Sequence, residues 1–70
     1  MNIKSNAMNA VERAFRQVGG QRPLARLIGI SPTYANKIYK SGHVPSEQVV
    51  AIEKATGVPR RELRPDLYDE

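Results

Sequence analysis

Gln21-Arg22-Pro23-Leu24-Ala25-Arg26-Leu27-Ile28-Gly29-Ile30-Ser31-Pro32-Thr33-Tyr34-Ala35-Asn36-Lys37-Ile38-Tyr39-Lys40 carries the local grammar of two short helices joined by a tight turn. Pro23 falls in a first helical turn, where the early N–H groups have no intrahelical partner and proline forfeits no bond. Leu24, Ala25, Leu27 and Ile28 then make a short apolar helix, and Gly29 closes it at a position where positive φ penalises a Cβ. Ile30 plugs the turn. Ser31 is a serine cap and Pro32 a proline at the first helical position, a strong local start signal. In the helix from Pro32 to Lys40, a step of roughly 100° per residue puts Tyr34, Ala35, Ile38 and Tyr39 on one side. Thr33, Asn36, Lys37 and Lys40 share the opposite side. Ala25 is small where the second helix of the pair must cross closely. Leu24, Ile28, Ile30, Ala35 and Ile38 are apolar where the two helices face one another and the core. This is a helix-turn-helix arrangement.

The flanking sequence supplies the remaining helices. Met8, Val11, Ala14, Phe15 and Val18 step by three and four, which predicts an amphipathic first helix over Met8–Val18. Asn6 or Ala7 stands at its cap position and Gly19-Gly20 is its stop. Ser41-Gly42 ends the third helix. Val44-Pro45-Ser46-Glu47 repeats the start signal, with Ser46 as cap and an acid in the first turn. The fourth helix, Glu47–Thr56, is expected to bury Val49, Val50, Ile52 and Ala55 and to stop at Gly57. Val58–Leu63 holds a single-turn helix that ends before Pro65, and Leu67 and Tyr68 fold back as apolar anchors. No stretch alternates with period two for long enough to make a strand. The fold class is therefore all-α, a small four- to five-helix bundle. Ser5-Asn6-Ala7 before Met8 reads as an expression scar, so residues 1–7 are set apart as scar or disordered. Residues 8–68 form one domain, and 69–70 end an acidic tail.

The chain has 70 residues, 11 basic and seven acidic, for a formal charge of +4 with His43 neutral. Residues 8–64 carry ten basic side chains against Glu12, Glu47, Glu53 and Glu62, whereas the last six residues carry only acids. A basic body with an acidic tip points to a polyanion, nucleic acid first and a membrane surface second, with ordinary solubility charge as the alternative. Seventy residues sit near the lower size limit for a self-sufficient core and leave little room for a deep catalytic cleft. There is no cysteine and one histidine, which removes disulfides, thiol nucleophiles and Cys-rich or His-rich metal sites. No apolar run reaches membrane-spanning length and no signal-peptide pattern opens the chain. No paired carboxylates or Cys/His pair is present, and Gly19-Gly20 is a helix stop rather than a phosphate loop. No enzyme, cofactor, metal, membrane partner or small-molecule substrate is expected. The location expected is cytoplasmic, at the nucleoid.

Gly20 to Ser31 resembles the first half of the Cro/repressor helix-turn-helix superfamily. With Ser41-Gly42-His43-Val44-Pro45, Ala51-Ile52-Glu53-Lys54-Ala55-Thr56-Gly57 and Arg61-Glu62-Leu63-Arg64-Pro65-Asp66-Leu67-Tyr68, the chain resembles the YdaS-like branch, which contains prophage Cro-type proteins and proposed antitoxins. The resemblance covers nearly all of residues 8–68. It implies a repressor-like DNA-binding bundle that reads double-stranded operator DNA through the major groove with its third helix. Carried over by position, Ser31, Pro32, Thr33, Asn36 and Lys37 lie at base edges, and Gln21, Arg22, Arg26, Tyr34 and Lys40 lie on phosphates. Relatives often hold glutamine or another hydrogen-bonding residue where Pro32 stands, and proline offers only shape. A homodimer on two half-sites is implied, with Val44, Leu63, Leu67 and Tyr68 as contacts.

The polar arc of the third helix is also what a solvated face looks like. Tyr34 and Tyr39 suit partial core as well as DNA contact, and Arg60, Arg61 and Arg64 suit phosphates or simple solubility. Arg13 and Arg16 read as surface residues, and His43 as an ordinary loop residue. The functional alternative to a repressor is an antitoxin that grips a toxin protein and autoregulates its promoter.

Overall fold

Asn9 and Glu12 start the first helix. Asn9 Oδ1 accepts the Glu12 N–H at 2.8 Å, and Glu12 Oε1 accepts the Asn9 N–H at 3.2 Å, closing a capping box. Two otherwise orphaned donors are thereby satisfied. Helix α1 accordingly spans Ala10–Gln17, later than the expected start at Met8, because the cap is Asn9 rather than Asn6 or Ala7. The computed structural model describes residues 9–68; Met8, residues 1–7 and the tail end 69–70 lie outside the described residues.

Helix α2 is Gln21–Ile28 and α3 is Pro32–Ser41, within one residue of the sequence reading. Gly29 ends α2 at φ 76°, in the left-handed region, where any other residue type would be strained. That geometry lets Ile30 N–H reach back to the Ala25 carbonyl at 3.0 Å. Ser31 then caps α3, its Oγ accepting the Tyr34 N–H at 3.0 Å.

The fourth segment begins differently from the sequence expectation. Ser46–Gln48 form a 3₁₀ turn with no side-chain cap bond, and α4 runs from Val49 to Thr56. Val44 and Val49, both fully buried, bracket that turn. Thr56, inside the core, is satisfied locally: its Oγ1 donates to the Ile52 carbonyl at 2.7 Å and accepts the Val58 N–H at 3.1 Å. Helix α5, Arg60–Leu63, is the single turn expected. Among the described residues there is no strand, so the architecture is all-α.

Val11, Ala14, Phe15, Leu24, Ala25, Ala35, Ile38, Val44, Val49, Ile52, Val58 and Leu63 make one core. Four expectations need correction here: Ala55 is half-buried rather than buried, and Leu67, 47% exposed, is no apolar anchor. Leu27 is 60% exposed, because it lies one step round α2 from the Leu24, Ala25 and Ile28 stripe. Val50 is half-buried rather than buried, since α4 turns Val49, Ile52 and Thr56 inward.

Arg64 secures the end of the chain. Its Nε and Nη2 donate to Asp66 Oδ1 and Oδ2 at 2.9 and 2.7 Å, and its Nη1 donates to the Val44 carbonyl at 2.8 Å. The Arg64 hydrogen bond, and secondarily the Asp66 backbone N–H and the neighbouring positive charge, pull the Asp66 carboxyl down to about 2. A carboxylate held below its ordinary value stabilises the fold above about pH 4 and loses that contribution as pH falls toward 2. Urea midpoints of the wild type and Asp66→Asn should therefore differ at pH 6 and converge between pH 4 and pH 2. Asn9→Ala, which opens the capping box, should cost about 1 kcal/mol in the same measurement at neutral pH.

Candidate nucleic-acid interface

The outward face of α3 follows from what its inward face must do. Ala35 and Ile38 are buried against the rest of the core, which fixes the rotation of the helix. Thr33, Lys37 and Lys40 are then exposed and Asn36 is half-buried, on the arc roughly opposite the buried pair. Tyr34 and Tyr39 flank that arc on its two sides, both half-buried and packed against the core. Tyr39 meets Phe15 with ring centroids 5.1 Å apart and planes at 59°, a tilted aromatic contact. Tyr34 lines a shallow groove with Lys37, Ile38, Ser41, His43 and Pro45.

Helix α2 adds to the same side of the molecule. Arg22 and Arg26 are exposed and Gln21, at the first turn, is half-buried. Gln21 and Arg22 line a groove together with Arg16 and Tyr39, so Arg16, read from sequence as a surface residue, joins this cluster. Ser31 and Pro32 are exposed at the start of α3. The Ser31 hydroxyl oxygen is already occupied by the Tyr34 N–H, which leaves chiefly its proton for another partner.

Charge is unevenly paired over the molecule. Three ion pairs exist among the described residues: Arg13 with Glu62, Arg60 with Glu53 at 2.9 Å, and Arg64 with Asp66 at 2.7 Å. Each involves α5 or the turn after it. Arg60 also lies 5.5 Å from the centre of the Tyr68 ring. Arg60 and Arg64 are thus engaged within the chain, whereas Arg61 is exposed. Among the described residues, Arg16, Arg22, Arg26, Lys37, Lys40, Lys54 and Arg61 enter no ion pair, and the first five of these stand on α1, α2 and α3. The signal for this was already in the chain, since no Asp or Glu occurs between Glu12 and Glu47. The first turns of α2 and α3 hold no acid either.

The expected dimer contacts divide. Val44 is fully buried and Leu63 is 5% exposed, so both are spent on the monomer's core and cannot face a partner. Leu67 is 47% exposed and Tyr68 half-buried. No group of three or more His, Cys, Asp or Glu that could hold a metal occurs among the described residues. No helix there is long and apolar enough to cross a membrane.

The family model described as "Bacterial toxin YdaS" matches residues 11–70. The chain belongs to the YdaS family. It is 37% identical over 70 residues to the "Gene 30 protein" of Enterobacteria phage phi80, covering 97% of this chain and 96% of the phage protein. It is 44% identical over 59 residues to the "Putative transcriptional regulator YdaS" of Escherichia coli strain K12. That match covers 80% of this chain and 60% of the length of the E. coli protein. No solved structure matches. The YdaS match takes in the helix-turn-helix and the α5 segment together, the two halves on which the sequence resemblance rested.

The close packing of α2 on α3 is what holds the outward arc in place, and Ala25, 2% exposed, sits in it. Ala25→Leu should overpack that contact, costing about 1–3 kcal/mol in urea denaturation.

Proposed function

We propose that this chain is a sequence-specific DNA-binding regulator of transcription, a Cro-like repressor whose α3 enters the major groove of operator DNA. The observation that carries the reading is the outward arc of α3: amide, hydroxyl and ammonium groups opposite a buried Ala35 and Ile38, inside an acid-free stretch of chain. The name of the E. coli relative supports the regulatory role.

The chemistry assigns distinct tasks. Lys37 reaches guanine O6 or N7, Asn36 pairs with adenine N6 and N7, and the Thr33 methyl packs on a thymine methyl. Ser31 and Pro32 lie at the leading end of the same helix. Gln21, Arg22, Arg26, Tyr34 and Lys40 hold the flanking phosphates, contacts that orient the protein without carrying sequence information. Three readers on one short helix span only a few base pairs, so a homodimer on two half-sites one helical turn apart is the economical assembly. Leu67 and Tyr68 are the candidates left for its contact, and the acting location is the nucleoid.

In vitro selection of bound duplexes tests this directly. An enriched motif with two related half-sites is expected, with affinity falling steeply as salt rises because each neutralised phosphate releases counterions. Asn36→Ala or Lys37→Ala should cost about 1–3 kcal/mol and relax the preference at one position, whereas Arg22→Ala should weaken all sequences alike. A selection without enrichment, with the α3 variants unchanged, overturns the reading. The alternative, an antitoxin, requires a neighbouring reading frame whose product is toxic alone and co-purifies with this chain.

A further inference from the structure

Pro32 sits exposed at the first turn of α3 and carries no polar group on its side chain. It lines a notch between α2 and the start of α3 together with Ala25, Ile30, Arg22 and Arg26. Three of those five residues are apolar, and the other two are cations that enter no ion pair among the described residues. The Ala25, Ile30 and Pro32 side chains offer a base edge no hydrogen bond, and the two arginines beside them offer only donors. What the notch can accommodate is an apolar group attached to a polyanionic strand. In the major groove of B-DNA that description fits the 5-methyl group of thymine.

We propose that the notch between Ile30 and Pro32, floored by the buried Ala25, receives the 5-methyl group of one thymine per half-site, with Arg22 and Arg26 on phosphates of the strand that carries it. The inference rests on α3 being the reading helix and adds a base preference to it. Proline at this position is then a reader by shape. It excludes water from the methyl and leaves no unpaired polar group facing it, so a pyrimidine without the methyl loses contact area and gains no hydrogen bond.

The test is a deoxyuracil scan. Each thymine of a selected duplex is replaced in turn by deoxyuracil, which deletes only the methyl, and affinity is measured for the unaltered chain. Besides the thymine assigned to Thr33, one further position per half-site should lose roughly four-fold, the value of one buried methyl-sized group. Pro32→Ser keeps a good residue at the helix start, and most of that penalty should disappear in it. Thr33→Ser should retain the penalty. A flat scan on a duplex that is otherwise bound sequence-specifically overturns the notch and leaves the DNA reading intact. Penalties that all survive Pro32→Ser, whether or not they vanish in Thr33→Ser, also overturn it. Failure to enrich any sequence overturns both. The scan of the unaltered chain needs no variant to fold, and binding of the unsubstituted duplex by each variant shows that it is folded.

Discussion

The distance between α2 and α3 governs everything else in this small domain. Helices approach closely only where side chains are small, and Ala25 and Ala35 are both buried on the two members of the pair. Gly29 adds the sharp reversal that brings them together. With that spacing set, Leu24 and Ile38 close the interior on one side, and the polar residues of α3 have only one direction left to face. The candidate interface is therefore a by-product of packing as much as of its own chemistry. A ten-residue helix would not hold its shape alone in water, so the side chains that would meet DNA are positioned by the core behind them.

The remainder of the chain braces that pair. Helix α1 contributes Val11, Ala14 and Phe15 to the core and α4 contributes Val49 and Ile52. Helix α5 adds Leu63 and provides one side of the Arg13–Glu62 and Arg60–Glu53 pairs. Exposed pairs of this kind are each worth about 0–1 kcal/mol; their larger effect is on where charge is left over. The contact from Arg64 to the Val44 carbonyl joins the end of the chain to the loop that follows α3, across a separation of 20 residues.

Much of this is legible in the sequence where a residue type has a single local meaning. Gly29, Ser31-Pro32 and Gly57 mark helix ends because left-handed backbone and serine capping are local properties, and the observed boundaries follow them. Asn9 and Glu12 were equally local, yet the apolar step at Met8 drew the expected start of α1 outward. Ser46 shows the limit of the same logic: a good cap residue after a proline is not used as a cap when the next residues wind into a 3₁₀ turn. Val44 and Leu63 fail for another reason. Near a proline and near the chain end they look available to a partner, and only three-dimensional packing reveals that the core consumes them. The outward arc of α3 could be read because its period is regular. The notch beside Pro32 could not, because Ala25, Ile30 and Pro32 converge only when the turn is folded.

The sorting of charge has a kinetic consequence. Among the described residues the paired acids gather around α5 and the following turn, while the cations of α2 and α3 enter no ion pair, so the chain carries an electric dipole as well as a net positive charge. In the field of any polyanion such a body experiences a torque before contact and arrives already rotated with α2 and α3 leading. Much of the rotational search that slows the docking of one particular face is then completed in free diffusion.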